Sequence, residues 1–218
     1  MLRALCLCLA CLAPAPSRGC ETALLLAMDV SNSVDAAEYR MQAEGLAWAL
    51  SDPEIAEILV ADGVSIAVLQ WAGTDRQQLS LGWTSITAPA DVVALQARAR
   101  TMARAFLLSD TAPASALHRA IDAFASAPSC KRRIIDVSGD GTPNAGGSVA
   151  GARQRAERAG ITVNGLAIEA AGYGQPVTNF YRRQLVTRDG FVITARGHRA
   201  FAETLRRKML RELSRVTG

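Results

Sequence analysis

The chain has 218 residues, half of them apolar and a fifth charged, a composition that supplies a real core and excludes disorder, collagen and low-complexity architectures. Its formal net charge is +4. Arg3 and Arg18 supply two of those charges in a 19-residue opening stretch without acids, so the remainder carries +2. A domain that near neutrality lacks the basic excess of a nucleic-acid binder, so no nucleic-acid partner is expected.

Residues 1–3 form a short positive region, residues 4–13 an apolar run of ten, and residues 14–19 are mostly small or turn-forming. This layout predicts a secretory signal peptide over residues 1–19, since ten apolar residues are too few to span a bilayer. The remaining chain, residues 20–218, is then a single domain placed in the periplasm or secreted. Cys6, Cys8 and Cys11 leave with the leader, and Cys20 and Cys130 remain. In an oxidising compartment that pair reads as one disulfide, with two buried thiols as the alternative.

Residues 23–29 (ALLLAMD) form a nearly unbroken apolar run, the pattern of a strand covered on both faces. Asp35 and Glu38 then have capping-box spacing, and apolar residues at helical spacing follow as far as Leu50, where Ser51-Asp52-Pro53 breaks the helix. Residues 63–71 read as a second strand and 77–86 as an edge strand. Residues 91–106 and 114–125 read as helices, and 132–138 as a strand ended by Gly139-Asp140-Gly141. Residues 149–159 predict a helix, 161–168 a strand, 180–185 a short helix, 191–194 a last strand and 198–216 a closing helix. This alternation predicts an α/β fold in three layers, a doubly wound and mostly parallel sheet with helices on both faces.

In such sheets ligands bind beyond the carboxyl ends of the strands, where strand order reverses. The polar clusters fall there: Asp29, Ser31 and Ser33 after the first strand, Thr111 in the loop opening the 114–125 helix, and Asp140 after the 132–138 strand. Five hard oxygen donors without imidazole or thiolate suit Mg²⁺, Mn²⁺ or Ca²⁺ and argue against zinc.

These residues resemble the von Willebrand factor type A (vWA) domain and its metal-ion-dependent adhesion site (MIDAS). That family's signature is Asp-x-Ser-x-Ser after the first strand, a distant Thr, and Asp-Gly after the fourth strand. The runs DVSNSVDAAEYRMQAEG, QWAG at 70–73 and IDVSGDGTPN at 135–144 resemble, more narrowly, a bacterial family of exported, functionally uncharacterised proteins of this fold. The resemblance covers residues 22–216. It implies that the strands following Cys20 and Cys130 are adjacent and parallel, with both cysteines at the ends opposite the metal and within disulfide range. It also implies a non-enzymatic module, with an open coordination position on the cation completed by a Glu or Asp of a partner protein. One position departs from the pattern: Asp110 stands where the family has a small residue, and it either shifts metal preference or points to solvent.

Other readings fit less well. A haloacid-dehalogenase-like phosphatase also places Asp after a first strand, but needs an acid two residues on, where Ser31 stands. A serine hydrolase lacks Gly-x-Ser-x-Gly, and its only histidines, His118 and His198, read as helix residues. A degenerate domain with purely structural Ser and Asp caps is the remaining alternative. Asp136, mid-strand, ranks below Asp140 as a ligand and reads as an acceptor inside the fold. In the closing helix, Phe201, Leu205, Met209, Leu213 and Val216 form an apolar stripe beside Arg206, Arg207, Lys208, Arg211 and Arg215. It reads as a core-facing helix with a solvated basic face in preference to a membrane contact.

Overall fold

The computed structural model describes residues 19–170, 172 and 174–214; the predicted leader up to residue 18, together with Arg215 and Val216 of the closing stripe, lies outside them. Six strands, β1 (Cys20–Asp29), β2 (Ser65–Trp71), β3 (Gln77–Ser85), β4 (Cys130–Gly139), β5 (Thr162–Glu169) and β6 (Val192–Arg196), form one sheet in the order β3-β2-β1-β4-β5-β6. Only the edge pair β2–β3 is antiparallel. Strand order therefore reverses between β1 and β4.

The apolar run of β1 is sorted by the period-two alternation of strand side chains. Leu24, Leu26 and Met28 pack with α1 (Ala36–Leu50), α2 (Pro53–Ala61), α3 (Pro89–Arg100) and α7 (Phe201–Leu213). Leu25 and Ala27 face α4 (Pro113–Ala123), α5 (Val149–Arg158) and α6 (Pro176–Phe180). The expected three layers follow directly, because neither face of the sheet is left to solvent.

The helix starts follow their caps. The Asp35 carboxylate accepts from the backbone N–H of Ala37 (2.7 Å) and Glu38 (2.8 Å), while Glu38 Oε2 accepts from Asp35 N–H at 2.8 Å, completing the expected capping box. Four assignments need correction. Pro53 does not simply end α1: its fixed φ suits the first position of a helix, and with Asp52 as cap it opens α2, a helix beyond those expected above. The helix expected over 91–106 stops at Arg100, and residues 101–112 form a loop. The short helix expected at 180–185 begins earlier, at Pro176, and ends in a π turn over Tyr181–Leu185. The basic face of α7 is not uniformly solvated, because Lys208 is fully buried.

Lys208 is buried because α7 lies on the same sheet face as Asp136. Its Nζ sits 2.7 Å from Asp136 Oδ1 and 2.5 Å from Glu212 Oε1. Asn164 Nδ2 donates to Glu212 Oε1 at 2.8 Å, and Arg132 Nη2 to the Glu212 carbonyl at 2.7 Å. Two buried carboxyls thus share one buried ammonium. Burial, reinforced by the Asp136 charge, pushes the Glu212 carboxyl up to about 7. At the amino ends of β1 and β4, Cys20 and Cys130, paired in register, form a disulfide across 110 residues of chain.

Two measurements test these features. Cys130→Ser should lower unfolding free energy by about 2–5 kcal/mol, read from denaturant midpoints against the oxidised parent. For Glu212, the unfolded carboxyl ionises near 4.5 while the folded one keeps its proton to about 7. The folded state therefore holds the extra proton in that window, and Glu212 costs progressively more stability as pH rises through it. Glu212→Gln should lack this component, so the stability difference between variant and parent should move in the variant's favour from pH 4.5 to 7 and then level off.

Candidate functional site

The site forms at the crest where β1 and β4 end side by side. Asp29 is the last residue of β1, and Asp140 follows the last residue of β4. The 29–33 loop turns tightly because Asp29 Oδ1 accepts Ser31 N–H at 2.8 Å and Val34 N–H reaches back to the Ser31 carbonyl at 3.1 Å. That turn aims both serine hydroxyls the same way. Thr111 Oγ1 donates to Ser31 Oγ at 3.0 Å, the Ser31 and Ser33 hydroxyls are 3.1 Å apart, and Ser33 Oγ donates to Asp140 Oδ1 at 2.5 Å. The structure therefore brings Ser31, Ser33, Thr111 and Asp140 into one hydrogen-bonded chain, rooted through the Ser31 backbone on Asp29.

Asp29 is fully buried, and its Oδ2 has no hydrogen-bond partner. Burial first, with the nearby Asp140 charge adding to it, pushes its carboxyl up to about 7 against the opposing Ser31 hydrogen bonds. An acceptor-rich cluster around an orphaned carboxylate oxygen is the donor set that a hard divalent cation compensates. Gly139 permits the crowding: a Cβ there would stand 2.8 Å from Asp29 Oδ2 and 2.7 Å from the Tyr181 hydroxyl, itself buried and unpartnered.

Several supporting residues carried no sequence signal. Arg104 Nη2 donates to the carbonyls of Val30 (2.9 Å) and Ser31 (3.0 Å), bracing the turn from the 101–112 loop. Asn144 Oδ1 accepts Thr111 N–H at 2.8 Å, and Asn144 N–H donates back to the Thr111 carbonyl at 3.1 Å. Glu38 and His198 also reach this crest, where each contributes a ligand atom within 4.8 Å of one from Asp140. Spacing alone gave no reason to join residues 38, 140 and 198. Asp136 does not take part, being committed to Lys208 below.

A cleft of about 660 Å³ opens beside the site, bordered by Asn32, Ser33, Asp75, Arg76, Leu108 and Asp110. Asp110 is exposed at its rim. Leu107 and Leu108 are 65% and 88% exposed, and Leu108 has φ +49°. The loop carrying them is pinned by Asn32 N–H on the Ser109 carbonyl (2.8 Å) and Gly73 N–H on the Ser109 hydroxyl (3.0 Å).

A family model described as Protein of unknown function (DUF1194) matches residues 19–217. No curated protein matches the chain in sequence. Among solved structures it is similar to a von Willebrand factor type A protein from Catenulispora acidiphila, at 18% identity and TM-score 0.64 over 89% of this chain and 43% of that one. It is also similar to proximal thread matrix protein 1 from the mussel byssus, at 15% identity and TM-score 0.63 over 89% and 46%. Another structure of the mussel protein, at 15% identity and TM-score 0.59 over 89% and 45%, is described as having a zinc-occupied MIDAS motif. BatB from Bacteroides thetaiotaomicron aligns over 87% of this chain and 99% of its own, at 17% identity and TM-score 0.57. The chain thus spans less than half of the mussel and Catenulispora proteins and nearly all of BatB. These likenesses establish the vWA fold.

Gly139→Ala should cost about 1–3 kcal/mol, because the oxygens its methyl meets are buried and cannot swing away. Gly147→Ala, with nothing within 4 Å of its Cβ, should stay within about 0.5 kcal/mol of the parent in the same urea titration.

Proposed function

The chain belongs to the DUF1194 family of proteins of unknown function, and we propose that it is a divalent-cation-dependent protein-binding module of the cell envelope. The reading is carried by one observation: Thr111, Ser31, Ser33 and Asp140 join in a single hydrogen-bonded chain beside the buried, unpartnered Oδ2 of Asp29. Asp29, Ser31, Ser33, Thr111 and Asp140 would hold the ion, with Mg²⁺ favoured and Mn²⁺ or Ca²⁺ as substitutes, since all five offer hard oxygen. A bound divalent cation supplies an electrophilic position for a carboxylate brought by the partner.

The chain's own residues shape that encounter. Arg104 and Asn144 hold the turns that present the hydroxyls, so the donors are ordered before binding. The adjoining cleft offers the exposed Leu108 and Arg76 as further contacts, which suits a partner segment with an acidic residue beside an apolar one. A non-enzymatic role is consistent with Asp29 itself: fully buried and tied to the Ser31 backbone, it is poorly placed to act as the nucleophile of a dehalogenase-like phosphatase, and Ser31 is no general acid.

A periplasmic or secreted location is supported by the Cys20–Cys130 disulfide and by the predicted leader. Among the described residues no helix is long and apolar enough to cross a membrane.

Calorimetric titration should show Mg²⁺ binding to the parent at one site, abolished by Asp29→Ala and by Asp140→Ala. A pull-down from envelope extract should retain a partner in Mg²⁺, release it in EDTA and fail with the Asp29→Ala bait. Absence of any Mg²⁺, Mn²⁺ or Ca²⁺ heat in the parent rules the reading out.

A further inference from the structure

The oxygen-only cluster leaves unused a nitrogen donor at the same crest. His198 opens a single 3-10 turn (His198–Ala200) immediately beyond β6, and Gly197 before it has φ +76°, a left-handed conformation that glycine adopts without strain. The turn brings the imidazole inward, where its side chain is only 7% exposed. Its Nδ1 lies 3.0 Å from Glu38 Oε1, and its Nε2 is buried without a hydrogen-bond partner. Glu38 is held from the other side, since its Oε2 accepts Asp35 N–H in the α1 capping box. Asp140 completes the group: one ligand atom from each of Glu38, Asp140 and His198 lies within 4.8 Å of the other two.

Three elements that are distant in sequence thus converge two partly exposed carboxylates and a buried imidazole. The imidazole is held in place by its burial, and the exposed side of the carboxylates leaves an entry path for an ion. Tetrahedral donors bound to one zinc ion at about 2.0–2.2 Å stand roughly 3.3–3.6 Å apart. The Glu38–His198 pair at 3.0 Å lies close to that spacing, and a side-chain movement brings in Asp140, whose ligand atom is within 4.8 Å of both. Imidazole among the donors suits zinc, whereas Mg²⁺ prefers all-oxygen surroundings.

We propose that Glu38, His198 and Asp140 form a second divalent-metal site of zinc type, sharing Asp140 as a bridge with the oxygen-only cluster. The site does not depend on the proposed adhesion role, because Glu38 and His198 belong to neither the hydroxyl chain nor the cleft.

The test is Zn²⁺ titration of untagged protein in excess Mg²⁺, with Co²⁺ as a spectroscopic stand-in. The parent should take up one Zn²⁺ per chain and give a visible Co²⁺ d–d band. His198→Ala and His198→Gln should both lose that equivalent and the band, and Glu38→Gln, which can keep the α1 cap, should weaken uptake at least tenfold. His118→Ala should change nothing, and circular dichroism establishes that each variant is folded. No Zn²⁺ uptake beside Mg²⁺, or uptake unchanged in both His198 variants, overturns the proposal. If His198-dependent Zn²⁺ uptake persists while Mg²⁺ gives no heat, the adhesion reading falls and this site stands.

Discussion

Parallel pairing of β1 with β4 runs from Cys20 opposite Cys130 to Met28 opposite Ser138, and this one register determines both ends of the molecule. At the amino ends it brings two sulfurs into bonding distance. At the carboxyl ends it delivers Asp29 and Asp140 to the same crest, though 110 residues separate them. Because strand order reverses between these two strands, their connections depart to opposite sides and leave a notch between them. Every polar contact of the candidate site is built in or around that notch. A slip of β4 by one residue would exchange its two faces and move Asp136 off the side where Lys208 meets it.

The buried electrostatics divide into two tiers along β4. Asp136, inside the sheet, is answered from within by Lys208, so α7 carries its own neutralising charge into the core. Asp29 and Asp140, at the rim, are answered chiefly by hydroxyls and backbone N–H groups, with Arg104 spent on carbonyls near by. The lower tier is closed and structural in character. The upper tier has more acceptors than cationic partners, which gives a positive ion a reason to be there. Removing one partner from the lower tier would leave a buried charge uncompensated, a change far more disruptive than losing a surface ion pair.

Much of this was legible from residues alone. The unbroken apolar run of β1 announces two covered faces, and Asp35 with Glu38 announces the start of α1. The Asp29, Ser31, Ser33, Thr111 and Asp140 set was assembled by placing each residue at a strand end or a loop. What stayed hidden depended on geometry that sequence does not encode locally. Pro53 acts as breaker and opener at once, and only the Asp52 cap turns it into the start of α2. In sequence Lys208 is one more member of a basic face, and only the position of α7 over Asp136 makes it a core cation. His198 and Glu38 meet only because a glycine turn after β6 points the ring at the head of α1.

Leu108 shows what the loop beside the cleft preserves. A left-handed backbone costs a branched residue on the order of 1–2 kcal/mol, and glycine would relieve that cost without loss to the fold. Leucine there gives up this relief and exposes an isobutyl group to water, with Leu107 beside it. Neither expense lowers the energy of the isolated molecule. A surface closing over this loop would take that group out of water against a backbone already ordered, so little further entropy would be lost there on contact.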